Sequence, residues 1–285
     1  MRNDQSLIST SSTENKRFVP KLLRRTVLEM AYAGSTVHIG CAFSIIELVS
    51  ILYRNYLRYP DNNPYSEYRD YLILSKGHGV MAQYACMYEM GWLSDGHIKN
   101  YFADGTELKG LSDSHIPGLE VTSGSLGHGF SIGVGIALGL QLDRRDQKVY
   151  AIVGDGELNE GAIWEGMLVA AHHQMDNLMV IVDKNGFQAM GATDDVLGLG
   201  DLHAKFNSFG FETLEVDGHD EVEIDNTIRH LWTSGLHKPK ALIAKTIKGK
   251  GVPFMEANNC WHYTRLNANT YAEAINALEL IEANP

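Results

Sequence analysis

Apolar residues along this chain come in two rhythms. Short solid runs fall at Tyr71-Leu72-Ile73-Leu74-Ser75, Lys148 to Val153 and Leu178 to Val182 and read as buried strands, and Thr213 to Val216 and Ala241 to Thr246 read as two later strands. Around them lie stretches with helical spacing. Phe18 to Ala33 places Leu22, Leu23, Val27, Met30 and Ala31 on one face, and Ser44 to about Tyr56 opens on Ser44 as a cap with Glu47 three residues on. Further helices are expected from Gly79 to about Met90, from the glycine-rich Gly124 segment to about Leu142, from Glu160 to His173, between the last two strands, and from Asn269 to Glu282. Residues 91 to 123 read as loop, with a short helix near Asp95 to Phe102, and a loop that long inside a compact domain is usually functional. The alternation predicts an α/β fold, a doubly wound parallel sheet with helices on both faces. It forms one domain over 16–285, behind a Ser/Thr/Asn-rich tail at 1–15 that reads as flexible.

Two of these strands end in polar residues of a particular kind. The run to Val153 ends in Gly154-Asp155-Gly156, and the run to Val182 ends in Asp183-Lys184-Asn185. A right-handed crossover between parallel neighbours would bring those two tips side by side. A diphosphate needs its charge neutralised, and a hard divalent cation does this through oxygen ligands. Asp155 supplies a carboxylate and Asn185 an amide oxygen, and the carbonyl of Phe187 is a third candidate. The glycines admit a close backbone approach, and the helix N-terminus behind them favours an anion.

Gly154-Asp155-Gly156, the helix after it and Asn185 resemble the thiamine diphosphate motif. The longer run GDGELNEGAIWEGMLVAAHHQMDNLMVIVDKNG resembles transketolase, and the chain from about Arg17 to Ala283 is similar to the N-terminal half of that family, which in some organisms is a separate subunit. The resemblance implies bound thiamine diphosphate with Mg²⁺, or Ca²⁺ or Mn²⁺ in its place, held by Asp155, Asn185 and Phe187. It implies that His78 in KGHG lies beside the cofactor diphosphate. His38 in STVHIG would contact the sugar, and His262 in CWHYTRLN would touch both. Imidazoles suit these tasks because they donate to phosphate and hydroxyl oxygens and move protons near pH 7. Gly124, Ser125 and Leu126 match the family's GPLG loop over the cofactor, with Ser125 where proline is frequent. Gly156 and Glu157 complete the implied cofactor contacts. Glu160 and Glu165 match acids at a subunit interface, or else form a solvated helix face. Lys245, Lys248 and Lys250 in KTIKGKG match a loop at the mouth of the site, or else a solvated basic loop.

The resemblance has two departures, both on the acceptor side. Anchoring on Pro117-Gly118-Leu119-Glu120 puts Leu111 where the family carries a substrate histidine, with His115 nearby as a replacement. The family's WHGKAP reads WHYTRLN here. These changes imply retained cofactor chemistry with an unusual sugar acceptor. The glutamate that activates the cofactor belongs to a second, pyrimidine-binding domain. The expectation is therefore a ketol transferase that works on sugar phosphates only with a separate C-terminal transketolase subunit, as a heterotetramer of two copies each. Three other readings stay open: the alpha subunit of a 2-oxo acid dehydrogenase, a deoxyxylulose phosphate synthase, and a non-catalytic homologue. KGHG, GSLGHG and WH disfavour the first, and an intact Asp155 and Asn185 disfavour the last.

Composition narrows the partners. The chain has 285 residues, 44% of them hydrophobic, enough for one large core, and its net charge of −11 disfavours nucleic acid and anionic membranes. No apolar run approaches a membrane span and no signal peptide is recognised, so a cytoplasmic location is expected. Cys41, Cys86 and Cys260 are too sparse for a disulfide framework and read as small buried hydrophobes in a reducing compartment.

Overall fold

A computed structural model describes residues 17–34 and 38–280. Five strands form one parallel sheet: β1 (Tyr71–Leu74), β2 (Val149–Gly154), β3 (Leu178–Lys184), β6 (Glu212–Asp217) and β7 (Lys240–Lys245), in the order β1-β2-β3-β7-β6. A two-stranded antiparallel hairpin, β4 (Phe187–Gln188) with β5 (Gly191–Ala192), follows β3 directly.

Side chains alternate strictly between the two faces. Val149, Ala151 and Val153 of β2 join one apolar cluster, while Tyr150 and Ile152 join the other. On the first face lie α6 (His128–Leu142), α7 (Gly161–His172) and α9 (Leu202–Ser208). On the second lie α1 (Pro20–Ala33), α2 (Ile39–Phe43), α3 (Ile46–Ile51), α4 (Val80–Glu89), α10 (Glu221–Thr233) and α11 (Ala268–Leu280). Short helices α5 (Asp95–Lys99) and α8 (Thr193–Leu197) sit in the connections. The chain steps outward from β3 to the edge strand β6 and then back to β7. A right-handed return in that direction sends α10 to the face opposite α7, which is what makes the sheet doubly wound.

Several local expectations need correction. Ser44 does not cap a single long helix, because the chain turns at 44–45 between α2 and α3, and 52–56 closes as a π-helical turn. The Ser44 hydroxyl is drawn instead to Asp183 at 2.8 Å, and Glu47 to Arg24, since a buried charge needs a partner more than a short helix needs a cap. Ile39 and Gly40, expected in a loop, are helical. The hairpin and the helices α8 and α9 had no counterpart in the apolar rhythm. Cys41 and Cys86 are buried, whereas Cys260 is exposed. The tail at 1–15, Ser35 to Val37, and the last residues expected in the final helix lie outside the described residues.

Candidate active site

Every expected strand tip of interest points to the same end of the sheet. Gly154 is registered against Asp183, and the amide of Asp155 donates to the carbonyl of Asp183 at 3.1 Å, so the tips of β2 and β3 are locked side by side. Around them a cavity of about 330 Å³ opens, lined by His38, His78, Gly124, Leu126, Gly154, Asp155, Gly156, Glu157, Asn185, Phe187 and His262 among others. Ser125 is exposed and is not among its lining residues.

The three histidines come from segments far apart in sequence and meet here. Ring centres lie 5.1 Å apart for His38 and His78, 5.4 Å for His38 and His262, and 5.8 Å for His78 and His262. Burial, followed by the charges of Lys248 and Lys76, lowers His38 to about 4. Burial and then Lys248 lower His262 to about 3, and His78, the most enclosed, falls well below the usual range. At pH 7 all three imidazoles are neutral, each with one donor and one acceptor nitrogen.

Asp155 is buried, accepts backbone N–H bonds from Gly156 at 2.8 Å and Gly186 at 2.6 Å, and forms no ion pair among the described residues. Burial and the nearby charge of Asp183 raise it to about 6. Asn185 donates its amide N–H to Asp183 at 2.9 Å, and its Oδ1 accepts from the amide of Phe187 at 3.1 Å. That pair of bonds fixes which end of the amide is oxygen. No cluster of three or more His, Cys, Asp or Glu side chains suited to a metal occurs among the described residues. The donor set at this point is one under-neutralised carboxylate plus amide and carbonyl oxygens. Such a set fits a hard cation that brings further oxygen ligands of its own, as a metal diphosphate does.

Gly156 is a required glycine for a reason the sequence did not show. A Cβ there would meet Cβ of Gln188 at 2.7 Å, so the hairpin packs directly on the Gly-Asp-Gly turn. The hairpin in turn lends Phe187, Gln188, Ala189 and Met190 to the cavity wall.

The family model for transketolase, thiamine diphosphate binding domain, matches residues 17–281. The chain belongs to the transketolase family. It is 35% identical over 252 residues to an apulose-4-phosphate transketolase subunit of Phocaeicola vulgatus, covering 88% of this chain and 89% of that one. It is 34% identical over 259 residues to a 6-deoxy-6-sulfo-D-fructose transketolase subunit of a Clostridium species, covering 90% and 94%. A solved transketolase from Campylobacter jejuni superposes with a TM-score of 0.84 at 26% identity, covering 91% of this chain but 42% of that one. The chain thus spans nearly the whole of the subunit-type relatives and about two fifths of the longer transketolase.

Within this transketolase domain, several residues lie elsewhere than their motifs suggested. His115 is an exposed loop residue, its side chain 89% accessible and bonded to Asp113 at 2.7 Å, and it is not among the lining residues. Leu111 does line the cavity, at the point where Gly124 passes close to it. Glu157 lines it too, but its carboxylate is spent on the protein: Oε1 accepts from Ser75 Oγ at 2.5 Å and the Gly127 amide at 2.8 Å, and Oε2 from the Gly154 amide at 3.1 Å. Of the three lysines in KTIKGKG, Lys245 is exposed and pairs with Glu215, and Lys250 pairs with Glu256. Lys248 corrects the solvated reading. It is buried, with Nζ 2.5 Å from His262 Nδ1. Glu160 and Glu165 are exposed.

Two other charged groups at the site stand inside quoted motifs but had no role assigned from the sequence. Lys76 is buried and paired with Asp183, which also accepts from Ser44 and Thr246. Burial opposes the ionised form of Asp183, but Lys76 and the hydroxyl donors outweigh it and hold the carboxylate below its usual range. The one available signal was placement: Lys76 follows directly on a solid apolar run, where a charge must find a partner.

Proposed function

We propose that this chain is the diphosphate-binding subunit of a two-subunit transketolase, which moves a two-carbon ketol unit from a ketose to an aldose. The reading is carried by one observation: the tips of β2 and β3 put Asp155 and Asn185 together at the cavity that also holds the three neutral imidazoles. Asp155, Asn185 and the carbonyl of Phe187 would hold Mg²⁺ or another hard cation, and the diphosphate with it. His78 and the Gly124–Leu126 loop would line the cofactor, with the Lys248 ammonium held behind His262. Thiamine diphosphate, when bound, supplies the electron sink on which a C–C bond next to a ketose carbonyl is broken and remade. His38 and His262 orient the sugar hydroxyls by hydrogen bonds, and being neutral they accept or donate a proton without a prior charge change. Phosphorylated sugars are the favoured substrate class, with the acceptor set apart by Leu111 in place of an imidazole.

Dependence on a partner rests on the names of two relatives and on the surface of this chain. Those two relatives bear the name of transketolase subunits and match this chain nearly end to end. The outer side of α6 and α7 exposes Ile132, Leu168 and Val169 beside Glu160 and Glu165, an apolar face suited to a subunit contact. A pyrimidine-binding chain seated there, in a two-plus-two assembly, would supply the activating glutamate. The test is a ketol-transfer assay of the purified chain alone, then with the pyrimidine-binding chain added, in Mg²⁺ and thiamine diphosphate. Turnover is expected only for the pair. Turnover by the single chain, or none by the pair with any ketose phosphate, overturns the proposal.

A further inference from the structure

Glu47 sits in the apolar run Ile45-Ile46-Glu47-Leu48-Val49, yet its carboxylate is buried. Arg24 grips both of its oxygens, Nη1 at 2.6 Å and Nη2 at 2.9 Å, and His219 Nδ1 lies 3.0 Å from Oε2. Both partners then reach past Glu47 to the same stretch of backbone. Arg24 Nε donates to the carbonyl of Lys250 at 2.8 Å, and the amide of Ile247 donates to His219 Nε2 at 2.8 Å. A backbone N–H can only donate, so Nε2 of His219 is the acceptor and Nδ1 carries the proton that Glu47 receives. The ring is held as one neutral tautomer by its two neighbours.

The segment held in this way at Ile247 and Lys250 is the turn that carries Lys248. Between those points the amide of Gly249 donates to the carbonyl of Gly40 at 3.2 Å, and the backbone of Lys248 accepts from Ala257 at 2.9 Å. The Lys248 side chain then runs inward to His262 Nδ1 at 2.5 Å and Asn259 Oδ1 at 3.2 Å. With Nδ1 accepting from an ammonium, the neutral His262 ring carries its proton on Nε2. Lys248 therefore decides which His262 nitrogen is the donor, and the turn decides where Lys248 stands.

We propose that His219, acting with Glu47 and Arg24, is a positioning residue for sugar binding: it clamps the 247–251 turn so that Lys248 holds the His262 ring in one orientation and one tautomer. This rests on the ketol-transfer reading above. His219 is not among the residues lining the cavity, so its effect reaches the site through the backbone of the 247–251 turn and the Lys248 side chain.

Two amide variants separate clamping from mere packing. His219→Asn places an N–H near Glu47 but is too short to accept from Ile247, whereas His219→Gln reaches Ile247. In the chain reconstituted with its pyrimidine-binding partner, His219→Asn is expected to raise the ketose KM about tenfold with kcat changed less than about twofold, and His219→Gln to stay within about threefold of the parent. Lys248→Met should raise KM by a similar factor, and the double variant Lys248→Met/His219→Asn by no more than either alone. An unchanged KM in His219→Asn, or factors that multiply in the double variant, overturns the proposal. A second readout needs no turnover: acylation of Lys248 in the isolated chain by an amine-reactive ester, followed by mass spectrometry. His219→Asn should react at least about tenfold faster than the parent and His219→Gln at nearly the parent rate, as expected for an amine that has lost its buried geometry. Equal rates in all three overturn the clamp even if the parent pair shows no ketol transfer, so its failure and that of the proposed function remain distinguishable.

Discussion

The two ends of the sheet bury charge in opposite ways. At the N-terminal end, Asp70 precedes β1 and is fully enclosed, and its carboxylate is completely used. It accepts from the Arg58 amide at 2.9 Å, Arg58 Nε at 3.0 Å, Arg58 Nη2 at 2.9 Å and the Lys148 amide at 2.8 Å. At the C-terminal end, Asp155 is also buried but accepts two backbone N–H bonds, has no ion-pair partner among the described residues and is raised to about 6. A carboxylate with its cation built in holds a structure together. One left under-neutralised beside neutral imidazoles is what the proposed cation site calls for.

The strongest test of that contrast exchanges the two acids. Asp155→Ala should lower the affinity of the reconstituted pair for Mg²⁺-thiamine diphosphate by about 100-fold or more, read by calorimetry. Asp70→Ala should leave that affinity unchanged and cost about 2 kcal/mol of stability in urea, because it strands the donors of Arg58 and Lys148. Equal affinities for the two variants would erase the distinction between the ends.

A smaller effect is expected from pH. His38 and His262 fall to about 4 and about 3 when folded, from an ordinary 6.5. Below 6.5 the unfolded chain takes up protons that the folded chain refuses. The stability tied to the neutral rings is complete above that value and is lost as pH falls toward 4 and then 3. Replacing both rings by Gln should flatten the stability curve of the isolated chain between pH 6.5 and 4 by about 2 kcal/mol, after allowance for the water that still reaches the half-buried rings. Identical curves for parent and variant would show that the C-terminal end carries no such load. The smallest effect belongs to His115, exposed and bonded only to its own loop. His115→Ala should change kcat/KM by less than about twofold, and a tenfold loss would extend the site to that loop.

What the sequence made legible was whatever leaves a local trace. The solid runs gave four of the strands to within a few residues, because a strand covered on both faces has few polar positions to disguise it, while the edge strand β6 keeps Glu212, Glu215 and Asp217. Asp155, Asn185 and the three histidines were readable because each stands in a short motif just beyond an element. The ion pairs behind them were not. Lys76 and Asp183 lie 107 positions apart, and His219 and Glu47 lie 172 apart, so nothing nearby announces the partner. Ser44 shows the cost of local reasoning, since a serine three residues before a glutamate resembles a cap until both side chains find buried charges. The hairpin at 187–192 was missed because its strands are two residues each, too short for any period to register.

Glu157 has a practical consequence for anyone who exchanges parts between relatives. One carboxylate fastens the residue after β1, the turn before α6 and the tip of β2, so these three loops behave as a single casting rather than as separate inserts. A graft that transplants the KGHG loop or the glycine-rich turn without its matching Ser75 or Gly127 contact would tilt the other two. Chimeras meant to alter substrate choice should move all three together, or cut elsewhere.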